Sequence, residues 1–101
     1  MSTLHTVNKS PFATTTLASC LNHALEGDAI LLIEDGVYGG VVGTELAKAL
    51  AAAKGVSLYV LSGDLTARGI DTARLVKGMK PIDYAGFVAL ATEHDRAQAW
   101  L

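Results

Sequence analysis

The sequence predicts an α/β domain, a mostly parallel sheet with helices on both faces, and three observations carry that prediction. Short apolar segments alternate with segments of helical periodicity, at the spacing of βα units. The run Ala29-Ile30-Leu31-Leu32-Ile33 is continuous rather than alternating, as a strand covered on both faces requires. Glycine and proline punctuate the segments at Pro11, Gly27, Gly36, Gly55 and Gly69, where the period changes.

Residues 3–7 read as a first strand, broken by Pro11. Thr14, Thr15 and Thr16 offer oxygens to start a helix whose stripe is Leu17, Leu21, Ala24 and Leu25, with Gly27 as its left-handed stop. Residues 28–33 form the second strand, and residues 37–43, rich in glycine, a loop. Thr44 caps a second helix facing inward through Leu46, Ala47, Leu50 and Ala51, ended by Gly55. Residues 57–61 form a third strand, and Asp64 caps a short helical turn that closes near Gly69. Residues 70–80 fit helix or strand equally. Residues 79–82 read as a short fourth strand, with Pro81 favouring an edge or a strand start, because proline cannot donate to a central ladder. Asp83 caps a helix through Phe87, Leu90 and Ala91, and residues 97–101 add a terminal strand.

The 101 residues suffice for one domain, expected to span 1–101. Half of them are hydrophobic and 18% charged, which is apolar for a domain this small and points to a partner subunit. A net charge of −2 offers no general attraction to nucleic acid, and Arg74, Lys77 and Lys80 read as a solvated loop rather than a binding patch. Direct nucleic-acid binding is therefore not expected. The first ten residues lack the apolar core of a signal peptide, and no run approaches the ~20 residues that cross a bilayer. With a single cysteine, the expected compartment is the cytoplasm, with no membrane association.

Cys20 is the one strong nucleophile in the chain. It lies about 60° from Leu17 on a helical wheel, at the margin of the apolar stripe. His23, three residues on, shares its surface and is the candidate for tuning a thiolate. Two readings stand: a reactive thiol, or a cysteine used as a small buried hydrophobe. The glycines at 36, 39, 40 and 43 follow a strand and precede a helix, but their spacing matches neither G-x-G-x-x-G nor a P-loop. They fit tight turning or close packing against a partner better than an independent nucleotide site. Glu34 and Asp35 point to opposite faces of an extended segment and make a poor acid/base pair. His5, His23 and His94 lack the spacings of a zinc site, and His5 is expected to be a structurally satisfied histidine in the first strand. No cofactor and no metal are expected.

Several segments together resemble the DsrH/TusB family. They are residues 4–12 (Leu-His-Thr-Val-Asn-Lys-Ser-Pro-Phe), Glu26-Gly27-Asp28, Leu31-Leu32-Ile33, Asp35-Gly36-Val37, residues 64–69 (Asp-Leu-Thr-Ala-Arg-Gly), Ile82-Asp83-Tyr84 with Phe87-Val88, and Ala99-Trp100. The resemblance covers essentially the whole chain and is nearest to the DsrH proteins of sulfur-oxidising bacteria. It implies a DsrE-like fold and the smallest subunit of a DsrEFH- or TusBCD-type complex. That complex is a dimer of heterotrimers with DsrE-like and DsrF-like partners. It takes persulfide sulfur from a TusA-like carrier and passes it towards DsrC or TusE. The main active cysteine is then on the DsrE/TusD subunit. Cys20 matches a cysteine typical of the sulfur-oxidising branch. The expectation is thus a sulfurtransferase subunit in dissimilatory sulfur oxidation, with Cys20 a candidate persulfide carrier. The alternatives are a non-catalytic structural subunit, or a TusB-type role in tRNA wobble-uridine 2-thiolation.

Overall fold

The computed structural model describes residues 2–101. Five strands, β1 (Thr3–Val7), β2 (Ala29–Leu32), β3 (Ser57–Leu61), β4 (Met79–Ile82) and β5 (Arg96–Trp100), form one sheet in the order β4-β3-β2-β1-β5. Every neighbouring pair is parallel. Four helices connect them: α1 (Thr16–His23), α2 (Glu45–Ala52), α3 (Ser62–Ala67) and α4 (Tyr84–Glu93).

The strand order decides which face each helix covers. The first three crossovers step in one direction, from β1 to β4, while the fourth runs back across the whole sheet to place β5 outside β1. Right-handed crossovers therefore put α1, α2 and α3 on one face and α4 on the other. The core divides accordingly. Leu17, Cys20, Leu50 and Leu65 pack with Val7, Ile30, Leu32 and Val60 on the first face. Leu90 packs with Leu4, Ala29 and Leu31 on the second, flanked by Tyr59, Ile82 and Phe87. β2 alternates between the two clusters and is buried at every residue, which is why its sequence reads as an unbroken apolar run.

The caps sit where the side chains allow them. Thr44 Oγ1 accepts from the backbone N–H of Ala47 at 3.0 Å, and Asp83 Oδ1 from that of Gly86 at 2.8 Å. Asp64 does something else: its Oδ2 accepts from the N–H of Glu34 at 2.7 Å, tying α3 to the end of β2.

Two segments depart from the sequence expectation. Residues 34–40 form a 3-10 segment rather than an open loop, because Val37, Gly39 and Gly40 are buried against the core. Here the glycines give close approach. A Cβ at Gly36 would collide with the carbonyl oxygen of Val7, and one at Gly39 with the side chain of Leu17. The second departure is Leu25, expected on the buried stripe of α1 but 68% exposed. α1 stops at His23, and Ala24 turns extended, so Leu25 leaves the helical phase. The N–H of Leu25 is taken instead by Asp28 Oδ2 at 3.0 Å.

Candidate functional site around Cys20 and His5

At the amino ends of β1 and β2 lies a buried polar chain in an otherwise apolar core. Asp28, just before β2, is 4% exposed, and His5 on β1 is 3% exposed. The carboxylate of Asp28 is saturated with donors. Oδ1 accepts from the N–H of Thr3 at 3.0 Å; Oδ2 accepts from the N–H of Leu25 at 3.0 Å and from His5 Nε2 at 2.8 Å. Burial pushes this carboxyl up, but the Leu25, His5 and Thr3 hydrogen bonds outweigh it and hold the group below the usual carboxylate range. Asp28 is therefore ionised at neutral pH.

The far side of the imidazole fixes the tautomer. Trp100 Nε1–H donates to His5 Nδ1 at 3.0 Å. An indole nitrogen is a donor only, so Nδ1 carries the lone pair and Nε2 the proton. His5 is neutral, wedged between a carboxylate that takes its proton and an indole that fills its acceptor. The parallel register that sets Trp100 beside Val7 delivers the indole to this place. His5 is thus the satisfied structural histidine that its position in β1 suggested. Nothing local in the sequence joins residues 5, 28 and 100; the available signals were the lone His5 in an apolar strand and the family-like segments in which all three residues lie.

Cys20 lies in α1 above this chain and is wholly buried, more deeply than its marginal wheel position indicated. Burial first, and the negative charge of Asp28 second, push its thiol up to about 12. At neutral pH it is a protonated, shielded thiol, and the thiolate is the nucleophilic form. His23 is exposed, and its ring stands edge-on to Trp100 at 5.7 Å between centroids. Among the described residues no hydrogen bond joins His23 to Cys20. A cavity of about 330 Å³ opens between the end of α1 and β5, bounded by His5, His23, Asp28, Arg96 and Gln98. Among the described residues no three His, Cys, Asp or Glu side chains converge as metal ligands.

The carboxyl end of the sheet holds a second, braced turn. Glu34 adopts the left-handed conformation at φ 51°, which a non-glycine residue adopts only when its surroundings hold it there. Here the hold is Asp64 on its N–H, with Arg68 clamping Asp35 Oδ1 from Nε at 3.0 Å. Asp35 is a bracing group in this turn, and Glu34 is exposed beside it. No helix in the described residues is long and apolar enough to cross a membrane.

Comparison with known proteins adds what geometry alone does not. A family model described as "DsrH like protein" matches residues 9–97. Protein TusB of Escherichia coli (strain SMS-3-5 / SECEC) is 41% identical over 97 residues, covering 96% of this chain and 99% of that protein. Protein TusB of Shigella flexneri is 39% identical over the same extent. Among solved structures, the ychN protein from E. coli superposes with a TM-score of 0.79 at 18% identity, over 98% of this chain and 99% of that one. Protein Tm0979 from Thermotoga maritima superposes with a TM-score of 0.66 at 22% identity, over 90% and 92%. At these identities the two structures speak for the fold.

Proposed function

Because the chain belongs to the DsrH-like protein family, we propose that it is a TusB-type subunit of a sulfur-relay complex serving tRNA wobble-uridine 2-thiolation, and that its part in the relay is structural. The observation that carries this is the 41% identity to a TusB protein along nearly the full length of both chains. The sequence resemblance placed dissimilatory sulfur oxidation first; the TusB relatives favour the tRNA branch instead.

The chemistry of a persulfide relay supports the structural role. A thiolate attacks the outer sulfur of a partner's persulfide, the S–S bond breaks, and the partner's thiolate leaves while the sulfane sulfur moves on. The acceptor must be ionised and reachable. Cys20 is buried and its thiol is raised to about 12, so it meets neither condition in the folded chain. In this reading the transferring cysteine belongs to a TusD/DsrE-like subunit. The chain completes a dimer of heterotrimers with that subunit and a TusC/DsrF-like one, and sulfur arrives from a TusA-like carrier and leaves on a TusE/DsrC-like one. The surplus of exposed apolar side chains, Tyr84 and Val88 on α4 among them, fits a chain that works inside an assembly.

The test is complementation. In a bacterium lacking its own TusB, this chain restores 2-thiouridine in tRNA, measured by mass spectrometry of nucleosides, and the Cys20→Ala variant restores it to the same level. Failure of the wild-type chain, in a strain that its native TusB rescues, overturns the tRNA reading. Loss confined to Cys20→Ala overturns the structural one.

A further inference from the structure

The two edges of the sheet are built differently. At β4, Pro81 contributes no N–H, and Lys80 places a charge on an edge strand, two of the devices that keep an edge from pairing with another chain. β5 has neither proline nor bulge; its one charge, Arg96, sits at its first residue, and Ala97, Gln98 and Ala99 are all exposed. The N–H of Arg96 donates to the carbonyl of Ser2 at 3.1 Å, so Arg96 faces β1. In a strand the N–H and C=O of one residue point the same way and alternate along the chain. Gln98 and Trp100 therefore also face β1, and Ala97 and Ala99 turn their N–H and C=O outward, where among the described residues no strand lies beyond.

We propose that this edge pairs antiparallel with the same edge of a second copy, about a two-fold axis at Gln98, so that one sheet runs through both chains. The sequence of β5 is self-complementary in that register. Ala97 falls opposite Ala99 of the second copy, and Ala99 opposite its Ala97, which matches the two outward-facing residues with one another as hydrogen-bonded pairs. Gln98 meets Gln98 as the non-hydrogen-bonded pair on the axis. Arg96 falls opposite Trp100 on the α1 side of the sheet, where a guanidinium can lie against the half-buried indole. The small side chains of Ala97 and Ala99 lie on the other side and offer no obstruction. A slip of one residue sets outward groups against inward ones. A slip of two leaves Trp100 facing Gln98 or pushes residues past the end of the strand. A second copy is favoured over an unrelated strand because no like charges meet and both outward residues find partners. The proposal does not depend on the sulfur-relay reading.

The experiment is analytical ultracentrifugation of the full chain from micromolar to millimolar concentration, with hydrogen exchange of the Ala97 and Ala99 amides. The wild-type chain shifts from 10.5 kDa to twice that mass, and both amides become protected as it does so. Gln98→Lys sets two ammonium groups directly opposite at the axis and weakens the dimer roughly fivefold or more. Gln98→Glu does the same with two carboxylates. An equimolar mixture of the two variants recovers the dimer, because opposite charges then meet across the axis. Ala99→Pro removes an outward N–H without touching the ladder to β1 and leaves a monomer with an unchanged circular dichroism spectrum. A wild-type chain that stays monomeric at millimolar concentration overturns the proposal. So does a dimer indifferent to both charges at position 98, whatever Ala99→Pro does to folding.

Discussion

Exposure of the folded chain to iodoacetamide at pH 8 tests the state of Cys20 without any partner protein. The thiol stands at about 12, against 9.0 for an unperturbed one, which is three pH units. Each unit is a factor of ten in ionisation, so the thiolate at pH 8 is about a thousandfold scarcer than in the unfolded chain. Complete burial adds a steric block on top of this. Alkylation, followed by intact-mass spectrometry, is therefore expected to run at least about a thousandfold slower in buffer than in urea, where α1 no longer covers the thiol. The same shift has a stability consequence of definite sign. The folded state holds the thiol proton more tightly than the unfolded state. The stabilisation is complete below pH 9 and is lost as the pH rises from 9 towards 12. Urea midpoints should fall through that alkaline window in the wild type and less steeply in Cys20→Ala. A folded chain alkylated within tenfold of the urea rate, with its circular dichroism unchanged, would refute the description of a buried, protonated cysteine.

Four further predictions concern the polar chain and the 3-10 segment. Asp28→Asn is expected to cost about 1.5–3 kcal/mol at pH 7, read from urea melts, because a carboxylate holding three donors is replaced by an amide. Since the Asp28 carboxyl lies below its ordinary value when folded, its contribution is present above about pH 4 and fades as the pH falls through the folded value; the variant should show a flatter acid limb. Trp100→Phe removes the donor to His5 Nδ1 and leaves a buried acceptor unpaired, for about 1–3 kcal/mol. Nitrogen NMR of the wild type should show His5 as the Nε2–H tautomer, and a charged imidazolium at pH 7 would contradict the assignment. Gly36→Ala drives a methyl into the carbonyl of Val7 and is expected to lose about 1–3 kcal/mol or more; a neutral result in thermal melts would show that the 3-10 segment gives way easily.

What could be read from the sequence was local. The unbroken apolar run of β2 and the Thr44 and Asp83 caps each rest on neighbours within a few residues, and each stands in the structure; of the two places Pro81 suggested, an edge or a strand start, the structure takes the edge. What could not be read depended on distant partners. α1 ends early because Asp28 captures the N–H of Leu25, a bond no periodicity reports. Cys20 looked marginal on a wheel because a wheel knows nothing of the sheet beneath the helix. The glycines of residues 36–40 read as a loop, whereas their packing against Val7 and Leu17 makes them part of the core. The His5–Trp100 bond spans 95 residues and exists only because the last crossover returns the chain to the side of β1.

Mass spectrometry of the assembled relay complex after loading with a persulfide donor, this chain wild type or Cys20→Ala, addresses the central claim most directly. The structural reading predicts added sulfur on a partner subunit, none on this chain, and the same loading with either form. A gain of one sulfur atom on this chain, absent from Cys20→Ala, would contradict it and make Cys20 a carrier.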